Sequence, residues 1–255
     1  EGEDGGGGDR AGSFTLLVKR YAAWGDPRHA HSYRPAGAVS NHVFGLVPGV
    51  DSLEFKHVPG NVKLPYAHPC GARGFRTAAG ERVRTITMVA VGVGVAPMAQ
   101  ALREMLDDGA DDDTRVVLLY GNRSVRDILL RDTLDEWEER HPERFKVVHH
   151  IGSRFGYNVH MHFDDCPKDC GKPCKRRRVP VPEGFDTLRE DRREFSWVNE
   201  DTIRRHAFPP ACDTKVFVCG LPSVYDKLCG PRGAPLAQGS ALANLGYTDD
   251  MILKF

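Results

Sequence analysis

Two short segments contain residue types that a nucleotide-binding crevice uses. Residues 91–97 read Val-Gly-Val-Gly-Val-Ala-Pro and separate an apolar run from an amphipathic one. Glycines at such a turn let the main chain approach a ligand, and the start of the next helix offers unpaired N–H groups to negative charge. Residues 219–222, Cys-Gly-Leu-Pro, follow another apolar run. Each segment also has an ordinary interpretation: a tight strand-to-helix turn and a buried structural cysteine.

The first segment matches only part of the dinucleotide-binding fingerprint. Gly92 and Gly94 fit its first two glycine positions, but Pro97 stands where the third glycine belongs. The motif alone does not distinguish a binding site from a simple strand-to-helix turn, so the position of this segment in the fold is needed to distinguish them.

The elements around these segments predict an α/β domain over residues 83–255. Apolar strands are expected at residues 85–91, 115–120, 146–151, 215–219 and 251–255. Helices are expected at residues 97–106, 124–140 and 199–206, the second opened by a capping pair of Ser124 and Asp127. Nearly apolar strands that alternate with helices indicate a parallel sheet covered on both faces. Ligands bind such a sheet at the carboxyl ends of its strands.

Two stretches depart from this alternation. Residues 1–82 begin with a polar, glycine-rich segment and then predict short antiparallel strands at residues 14–21 and 51–58, joined by loops. Between the third and fourth apolar strands of the α/β domain lie 63 residues, where a strand-to-helix loop normally takes a few. We interpret residues 154–193 as an insertion.

Composition excludes several classes of function. The 255 residues carry 35 basic and 35 acidic side chains, so there is no general attraction to nucleic acid or to an anionic membrane. No apolar run approaches the roughly 18 residues of a membrane helix, and no leader opens the chain, so neither a membrane span nor secretion is expected. Seven cysteines, an odd number, do not form a disulfide framework and predict a reducing compartment, either cytoplasmic or mitochondrial.

The insertion contains potential metal ligands and a basic cluster. Cys166, Cys170 and Cys174 follow two histidines, but their spacing is not the usual one for zinc or iron–sulfur sites, so inert thiols are the alternative. Six lysines and arginines between residues 168 and 178 accompany a single aspartate. This cluster is either a solvated loop or a docking patch for an acidic redox partner.

Five segments, in order, resemble the motifs of the NADH-cytochrome b5 reductases, a family of the ferredoxin–NADP reductase superfamily. They lie at residues 37–40, 91–98, 120–131, 219–222 and 245–255. The resemblance covers nearly the whole chain apart from the insertion. It implies a nucleotide-binding α/β domain at residues 83–255, preceded at residues 1–82 by part of an antiparallel β-barrel that binds FAD.

The resemblance also implies an activity and a set of site residues. Electrons would pass from NADH or NADPH through FAD to a one-electron haem protein such as cytochrome b5. Cys219 would lie near the position of hydride transfer, and Gly37 and Ser40 would hold the FAD phosphate. The other implied cofactor-binding residues are Gly92, Gly94, Pro97, Asn122, Arg123, Asp127, Gly220, Pro222 and Phe255.

This resemblance does not decide whether the nucleotide is NADH or NADPH. In the family, an Asp after the third sheet strand favours NADH, and Gly152 stands at that position here. Ser153 and Arg154 follow, and in plant-type reductases a Ser-Arg pair at this place holds the 2′-phosphate of NADPH. We hypothesise that NADPH is accepted; the alternative is that Arg154 is a surface residue at the start of the insertion.

Several positions depart from the family's motifs. The flavin motif Arg-x-Tyr-Thr/Ser is missing upstream of residues 14–21, and the basic partner of the flavin phosphate is replaced by Ala38. Val91, Val93 and Ala96 stand for a glycine and two threonines, and Leu221 stands for a proline. Two hypotheses remain: a working reductase, or a catalytically silent reductase-like subunit that serves as a scaffold or binding module in a larger assembly.

Overall fold

The computed structural model describes residues 17–23, 27–28, 33–54, 74–77, 79–107, 113–152 and 182–255. The chain divides into two compact units, Glu1–His57 and Val58–Phe255, and the second contains the sheet. The domain boundary that we expect near residue 82 stays a prediction.

Six parallel strands form one sheet in the second unit. They are β1 (Thr85–Val91), β2 (Arg115–Asn122), β3 (Phe145–Ile151), β4 (Arg193–Glu194), β5 (Thr214–Cys219) and β6 (Ile252–Lys254). Their order across the sheet is β4-β3-β2-β1-β5-β6. Strands β2, β3 and β4 therefore lie in sequence on one side of β1, and β5 and β6 lie on its other side. The strand order reverses between β1 and β5, where open α/β sheets bind ligands.

Helices cover both faces of this sheet, which confirms the predicted α/β architecture. They are α2 (Val95–Leu106), α3 (Arg131–Arg140), α4 (Glu200–His206), α5 (Pro222–Leu228) and α6 (Ala241–Asn244), while α1 (Ala38–Gly45) belongs to the first unit. Side chains of α4, α5 and α6 share one apolar cluster with alternate residues of the central strands. The central strands are buried along nearly their whole length because they present apolar side chains to both faces. No helix in the described part of the chain is long and apolar enough to cross a membrane.

The predicted helix over residues 124–140 is interrupted in the structure. A single 3₁₀ turn, Val125–Asp127, comes first, and α3 begins only at Arg131. Leu130 has a φ of 57°, the left-handed conformation, which a continuous right-handed helix does not permit. The Ser124 hydroxyl donates to the Asp127 carboxylate (2.9 Å) and caps no helix. The capping pair was therefore a wrong prediction, because its two side chains bond to each other.

The predicted strands near the amino terminus are absent where the structure describes them. Residues 17–21 and 51–54 contain no strand. Helix α1 takes the main-chain groups that a neighbouring strand would use: the Tyr21 carbonyl accepts from the Gly37 N–H (2.9 Å) and from the Asn41 side chain (2.9 Å). Before β1, one antiparallel bridge joins Arg76 to Arg82, and Arg34 forms an isolated bridge as well. A β-barrel over residues 1–82 is not confirmed.

The sequence analysis missed β4, which lies at the end of the expected insertion. This short strand pairs with β3 at the sheet edge, His149 opposite Arg193. The buried Glu138 carboxylate on α3 anchors it, since it accepts from the Arg192 side chain (2.8 Å) and from the Val147 N–H (3.2 Å). Periodicity cannot reveal a two-residue strand, and this one depends on an ion pair between distant segments.

Two buried histidines on β3 predict a loss of stability in acid. Burial lowers the pKa of His149 to about 4 and that of His150 to about 3. Below the ordinary value of about 6.5, the unfolded chain binds protons that the folded chain does not, so the stabilisation present at neutral pH is lost as the pH falls. Because of His150, the free energy of unfolding is expected to fall by about 3 kcal/mol between pH 6.5 and pH 4.

Urea unfolding of the wild type and of His150→Leu across this pH range measures the effect. The variant should lose less stability than the wild type on acidification, because an apolar side chain replaces the buried imidazole. His42→Gln, at an exposed position on α1, is the control and should follow the wild type. If the free energy of unfolding falls equally steeply with pH in His150→Leu and in the wild type, His150 is not the cause of the acid sensitivity.

Candidate functional site

The carboxyl ends of the central strands bring both chemistry-bearing segments together. In the sheet register, Ala90 of β1 lies opposite Cys219 of β5, and Val91 lies opposite Gly121 of β2. The glycine turn after β1 and the Cys-Gly pair after β5 are therefore neighbours at the point where the strand order reverses. This position favours a ligand crevice over a simple turn.

Glycine is required sterically at the turn after β1. A Cβ on Gly94 would lie 2.3 Å from the Cys219 main-chain oxygen, so only glycine lets this turn pack against the end of β5. Gly92 has a φ of 56°, and a Cβ there would meet nothing within 4 Å. Pro97 lies in the first turn of α2, where its missing N–H costs no intrahelical hydrogen bond. The two glycines thus differ: one joins two strand ends, and the other faces open space.

Val91 occupies the space between two further glycines of this edge. A Cβ on Gly121 would lie 3.2 Å from Val91 Cγ2, and a Cβ on Gly220 would lie 3.3 Å from Val91 Cβ. The valine that replaces a family glycine is therefore accommodated because the ends of β2 and β5 have no side chains at these positions.

Tyr225 joins the end of β5 to the carboxyl end of β6. Its hydroxyl donates to the Phe255 main-chain oxygen (2.6 Å) and accepts from the Gly220 N–H (3.3 Å). The Phe255 ring packs edge-on against Phe217, with centroids 5.7 Å apart. Pro222 is the first residue of α5. These contacts hold Cys219, Gly220 and Phe255 at one edge.

The Cys219 thiol is suited to a neutral contact. Burial is the main reason that the pKa of this thiol is raised above its usual range. The thiol therefore stays protonated near neutral pH, and a thiolate nucleophile is not what this position provides. A neutral, polarisable sulfur at this position can pack against an apolar or planar group.

Tyr120 and Asn122 at the end of β2 are the polar groups that face the glycine turn and the next loop. The Tyr120 hydroxyl donates to the Gly92 carbonyl (3.1 Å) and accepts from the Leu129 N–H (3.2 Å), and burial raises its pKa to about 12. Asn122 is only 2% exposed, and its side-chain amide lies near the Tyr120 hydroxyl but makes no hydrogen bond of normal geometry to a described residue. A buried amide without a normal hydrogen bond is suited to bind a polar ligand atom.

Arg123 and Asp127, also predicted to contact the nucleotide, form a loose pair at the surface. Their charged atoms lie 4.0 Å apart, and Arg123 is largely exposed. The Asp127 carboxylate also accepts from Ser124. Arg123 can therefore reach a ligand, whereas Asp127 serves first to hold the loop that follows β2.

Trp197 is a residue of this edge that sequence reasoning missed. A Cβ on Gly152, just after β3, would lie within 2.1–2.5 Å of three atoms of the Trp197 indole. A Cβ on Gly121 would lie 3.6 Å from the same ring. The half-buried indole thus lies directly on the main chain after β3, where the family has an aspartate. The absence of a side chain at Gly152 was the signal that could have indicated a close neighbour.

The first unit contains the two residues predicted to hold the flavin phosphate. Gly37 is the N-cap of α1, and Ser40 lies in the first turn of this helix. The Ser40 hydroxyl donates to the Gly37 carbonyl (3.2 Å), so it is already engaged. What α1 offers to an anion is its first-turn main-chain N–H groups.

Several predicted residues lie outside the described part of the chain. These are Ser153, Arg154, Cys166, Cys170 and Cys174, together with the basic cluster of residues 168–178. Among the described residues, no group of three or more His, Cys, Asp or Glu side chains could hold a metal ion.

Comparison with known proteins supports the resemblance that the motifs indicate. Residues 88–157, which span the glycine turn and β2 and β3, match the model of the oxidoreductase NAD-binding domain. NADH-cytochrome b5 reductase 2 of Saccharomyces cerevisiae (strain YJM789) is 28% identical over 247 residues, which cover 96% of this chain and 62% of that protein. The chain is similar to NADH-cytochrome b5 reductases.

Other relatives carry the same name. NADH-cytochrome b5 reductase 2 of Aspergillus clavatus is 30% identical over 257 residues, 97% of this chain and 59% of that protein. The chain thus spans less than two thirds of the length of these reductases. Among solved structures, the cytochrome b5 reductase domain of Ulva prolifera nitrate reductase is similar. The match covers 69% of this chain and 49% of the chain of that structure, with 23% identity and a TM-score of 0.47.

Proposed function

We propose that this chain is the pyridine-nucleotide-binding part of a flavin-dependent oxidoreductase. It would pass electrons from NADH or NADPH through FAD to a one-electron haem protein such as cytochrome b5. The observation that carries this proposal is the meeting of the glycine turn, the buried Asn122 amide and Cys219-Gly220 where the strand order reverses. The match of residues 88–157 to an NAD-binding domain supports the same ligand.

The chain's own residues would bind and orient the nucleotide. The main chain of Gly92 faces open space and can approach the dinucleotide closely. The Asn122 amide would donate to or accept from a polar atom of the ligand, which would satisfy a buried group that makes no hydrogen bond of normal geometry among the described residues. The neutral Cys219 thiol and the Tyr225–Phe255 contact would form one wall of the cleft and keep water from the reacting ring.

FAD, when bound, would accept a hydride and release single electrons. At the two predicted residues of the first unit, main-chain donors are what fits the FAD phosphate. Helix α1 offers its first-turn N–H groups, while the Ser40 hydroxyl is engaged and residue 38 is an uncharged alanine. FAD binding and the haem acceptor are thus proposed from the resemblance, and Gly37 and Ser40 are the candidates in this chain.

One observation favours the second candidate function, a catalytically silent subunit that binds assembly partners. The Val91 side chain fills the space between Gly121 and Gly220, where the family has a glycine and hence no side chain. A scaffold would tolerate this bulk, whereas a nucleotide site has to bind around it. The resemblance to named reductases over nearly the whole chain favours the enzyme.

A visible absorption spectrum after incubation with FAD and desalting tests the proposal. Under anaerobic conditions, retained flavin is expected to bleach on addition of NADH or NADPH. The measurement is repeated with a chain extended upstream of residue 1, since the relatives are longer. If both chains release all flavin and neither binds NADH or NADPH in calorimetric titrations, the silent subunit replaces the reductase.

The nucleotide preference is proposed from Ser153 and Arg154, which lie outside the described residues. Gly152 carries no carboxylate to repel a 2′-phosphate, and the Trp197 ring covers its main chain. We therefore expect NADPH to bind at least as tightly as NADH. Arg154→Ala should weaken NADPH binding about tenfold and leave NADH binding unchanged, because a charge-assisted contact to the 2′-phosphate is lost. A much higher affinity of the wild type for NADH would contradict this preference.

A further inference from the structure

A cavity of about 190 Å³ lies between α3, β3 and the segment of residues 187–192. At roughly 30 Å³ per water molecule, this volume holds about six waters or one small organic molecule. The described residues assigned to the nucleotide do not line it. The cavity is therefore a second place in the α/β domain where a small molecule fits.

The imidazole of His149 is a buried polar group in the wall of this cavity. His149 is 3% exposed, and its Nδ1 makes no hydrogen bond to a described residue. Burial lowers the pKa of this ring to about 4, so near neutral pH it is uncharged and has one N–H donor and one acceptor. Buried polar atoms in native proteins are nearly always satisfied, and a polar atom of a bound molecule would satisfy this one.

The charged side chains around the cavity are close to each other but loosely paired. Arg131 Nε lies 3.7 Å from an Asp135 carboxylate oxygen, and Arg189 Nη1 lies 3.8 Å from Glu138. Arg189 Nε lies 3.5 Å from Asp191. These separations are longer than good hydrogen bonds, so guanidinium N–H groups and carboxylate oxygens remain able to bind a third group. That group has to offer both signs of charge.

Tight contacts hold the two sides of the cavity in place. The Glu138 carboxylate on α3 accepts from the Arg192 side chain and from the Val147 N–H of β3. The Arg131 side chain donates to the Thr187 carbonyl (2.8 Å). Helix α3 and residues 187–192 are thus both anchored, and a ligand entering between them would pay little for ordering the wall.

The α3 side of the cavity contains an excess of carboxylates. Burial is the main reason that the pKa of Asp135 is raised, and the neighbouring carboxylates of Glu138, Asp132 and Glu139 add to this effect, while Arg131 opposes it. A further positive charge beside Asp135 would favour its ionised form. An ammonium group is therefore the cation that suits this side, and the arginines suit an anion.

We propose that this cavity binds a free α-amino acid. Its carboxylate contacts Arg131 and Arg189, and its ammonium group contacts Asp135. A polar atom of the same ligand is the hydrogen-bond partner of the His149 ring. A free amino acid has both charged groups on one carbon atom, which matches a wall where Arg131 and Asp135 are 3.7 Å apart.

The remaining wall and the size of the cavity indicate a small apolar side chain. Val147 and Leu188 line the cavity and offer apolar contacts. L-Valine is therefore the probe. Calorimetric titration compares it with three matched molecules: 3-methylbutanoate, which lacks the ammonium group, isobutylamine, which lacks the carboxylate, and D-valine, which has both groups in the mirror arrangement.

L-Valine should bind at least about tenfold more tightly than each of these three, because each lacks one charge-assisted contact or cannot make all of them together. Equal binding of 3-methylbutanoate would show a site for anions alone, and equal binding of isobutylamine a site for cations alone. Equal binding of D-valine would show an unspecific effect. Each of these results, or no binding of L-valine, overturns the proposal.

Two variants test the charged contacts. Arg189→Gln and Asp135→Asn should each weaken L-valine binding about tenfold. The side chains of Arg189 and Asp135 are 63% and 47% exposed, so both variants should fold. Arg204→Gln is the control: this exposed arginine pairs with Glu200 within α4 and does not line the cavity, so affinity should stay unchanged. Unchanged affinity in both Arg189→Gln and Asp135→Asn would overturn the proposed contacts.

The ring of His149 provides a direct readout. In NMR spectra of protein labelled with ¹⁵N-histidine, L-valine should shift the ring signals of His149, which His149→Gln identifies by their loss. His150 is the internal control, because neighbouring residues of a strand point to opposite faces of the sheet. Equal shifts of both rings would show a general change of β3 and contradict a contact at the cavity. None of these measurements needs NADH, NADPH or FAD, so failure of the proposed function leaves this test intact.

Discussion

Replacing Gly94 by alanine is expected to destabilise the chain by about 3 kcal/mol and to weaken nucleotide binding by about tenfold or more. The added Cβ would lie 2.3 Å from the Cys219 oxygen and 2.8 Å from the Cys219 carbonyl carbon. Both atoms are main chain, so no side-chain rotation relieves the overlap. The turn after β1 has to move away from the end of β5, which opens the edge where the proposed nucleotide binds.

Gly92→Ala is the matched control for the loss of stability in Gly94→Ala. Its Cβ meets nothing within 4 Å, and the cost is the strain of a left-handed alanine, about 1 kcal/mol. Urea unfolding and calorimetric titration with NADPH measure both variants. If Gly94→Ala is no less stable than Gly92→Ala, the close packing of the two strand ends does not exist in solution.

Replacing Gly152 by aspartate, the residue of the related reductases, is expected to displace the Trp197 indole and to cost about 3 kcal/mol. Ring atoms occupy the space of the new Cβ, at 2.1 Å for Cε2. Because the indole is half-buried, it can swing toward solvent, and its fluorescence emission should shift to longer wavelength. The carboxylate should also weaken NADPH binding more than NADH binding, since it repels the 2′-phosphate.

A double-mutant cycle separates the steric effect from the electrostatic one. In a Trp197→Ala background, Gly152→Asp should cost much less stability, because the space is empty, while the discrimination against NADPH should remain. Gly152→Ala is the uncharged control and should displace the indole without changing the nucleotide preference. Equal costs of Gly152→Asp with and without Trp197 would contradict the contact between this ring and Gly152.

The strands of the α/β domain could be predicted from sequence because each is a nearly apolar run bounded by glycine or polar residues. Strand β1 has the predicted bounds, and the other four predicted strands differ by a few residues at their ends. The break before α3 could not be predicted, because Leu130 suits a helix by type and the interruption depends on the Tyr120 hydroxyl binding Leu129. The strand prediction for the first unit failed in its described residues for a similar reason. Asn41 of α1 and the N-cap residue Gly37, rather than a second strand, donate hydrogen bonds to the main-chain carbonyl of Tyr21.

The residues of the candidate site also fall into those that sequence could predict and those that only the structure shows. Gly92, Gly94, Asn122, Cys219 and Gly220 were predicted from sequence because motifs in order carry them. The parallel sheet brings their strand ends together, and their role in binding a nucleotide stays a prediction. Trp197 and Tyr225 were not found because each acts through a contact with a residue in another element. An aromatic residue in a sequence does not reveal that a glycine 45 positions earlier leaves room for its ring.

The sequence by itself determined that this chain folds as a parallel α/β sheet and resembles NADH-cytochrome b5 reductases, because local periodicity and ordered motifs encode both. Only the tertiary structure decided which glycines are sterically required, which buried amide makes no hydrogen bond of normal geometry among the described residues, and which charged side chains surround the cavity beside His149. These properties depend on distances between segments far apart in the chain. Side-chain packing and main-chain hydrogen bonds across the sheet set those distances, and neither is visible in the order of residues.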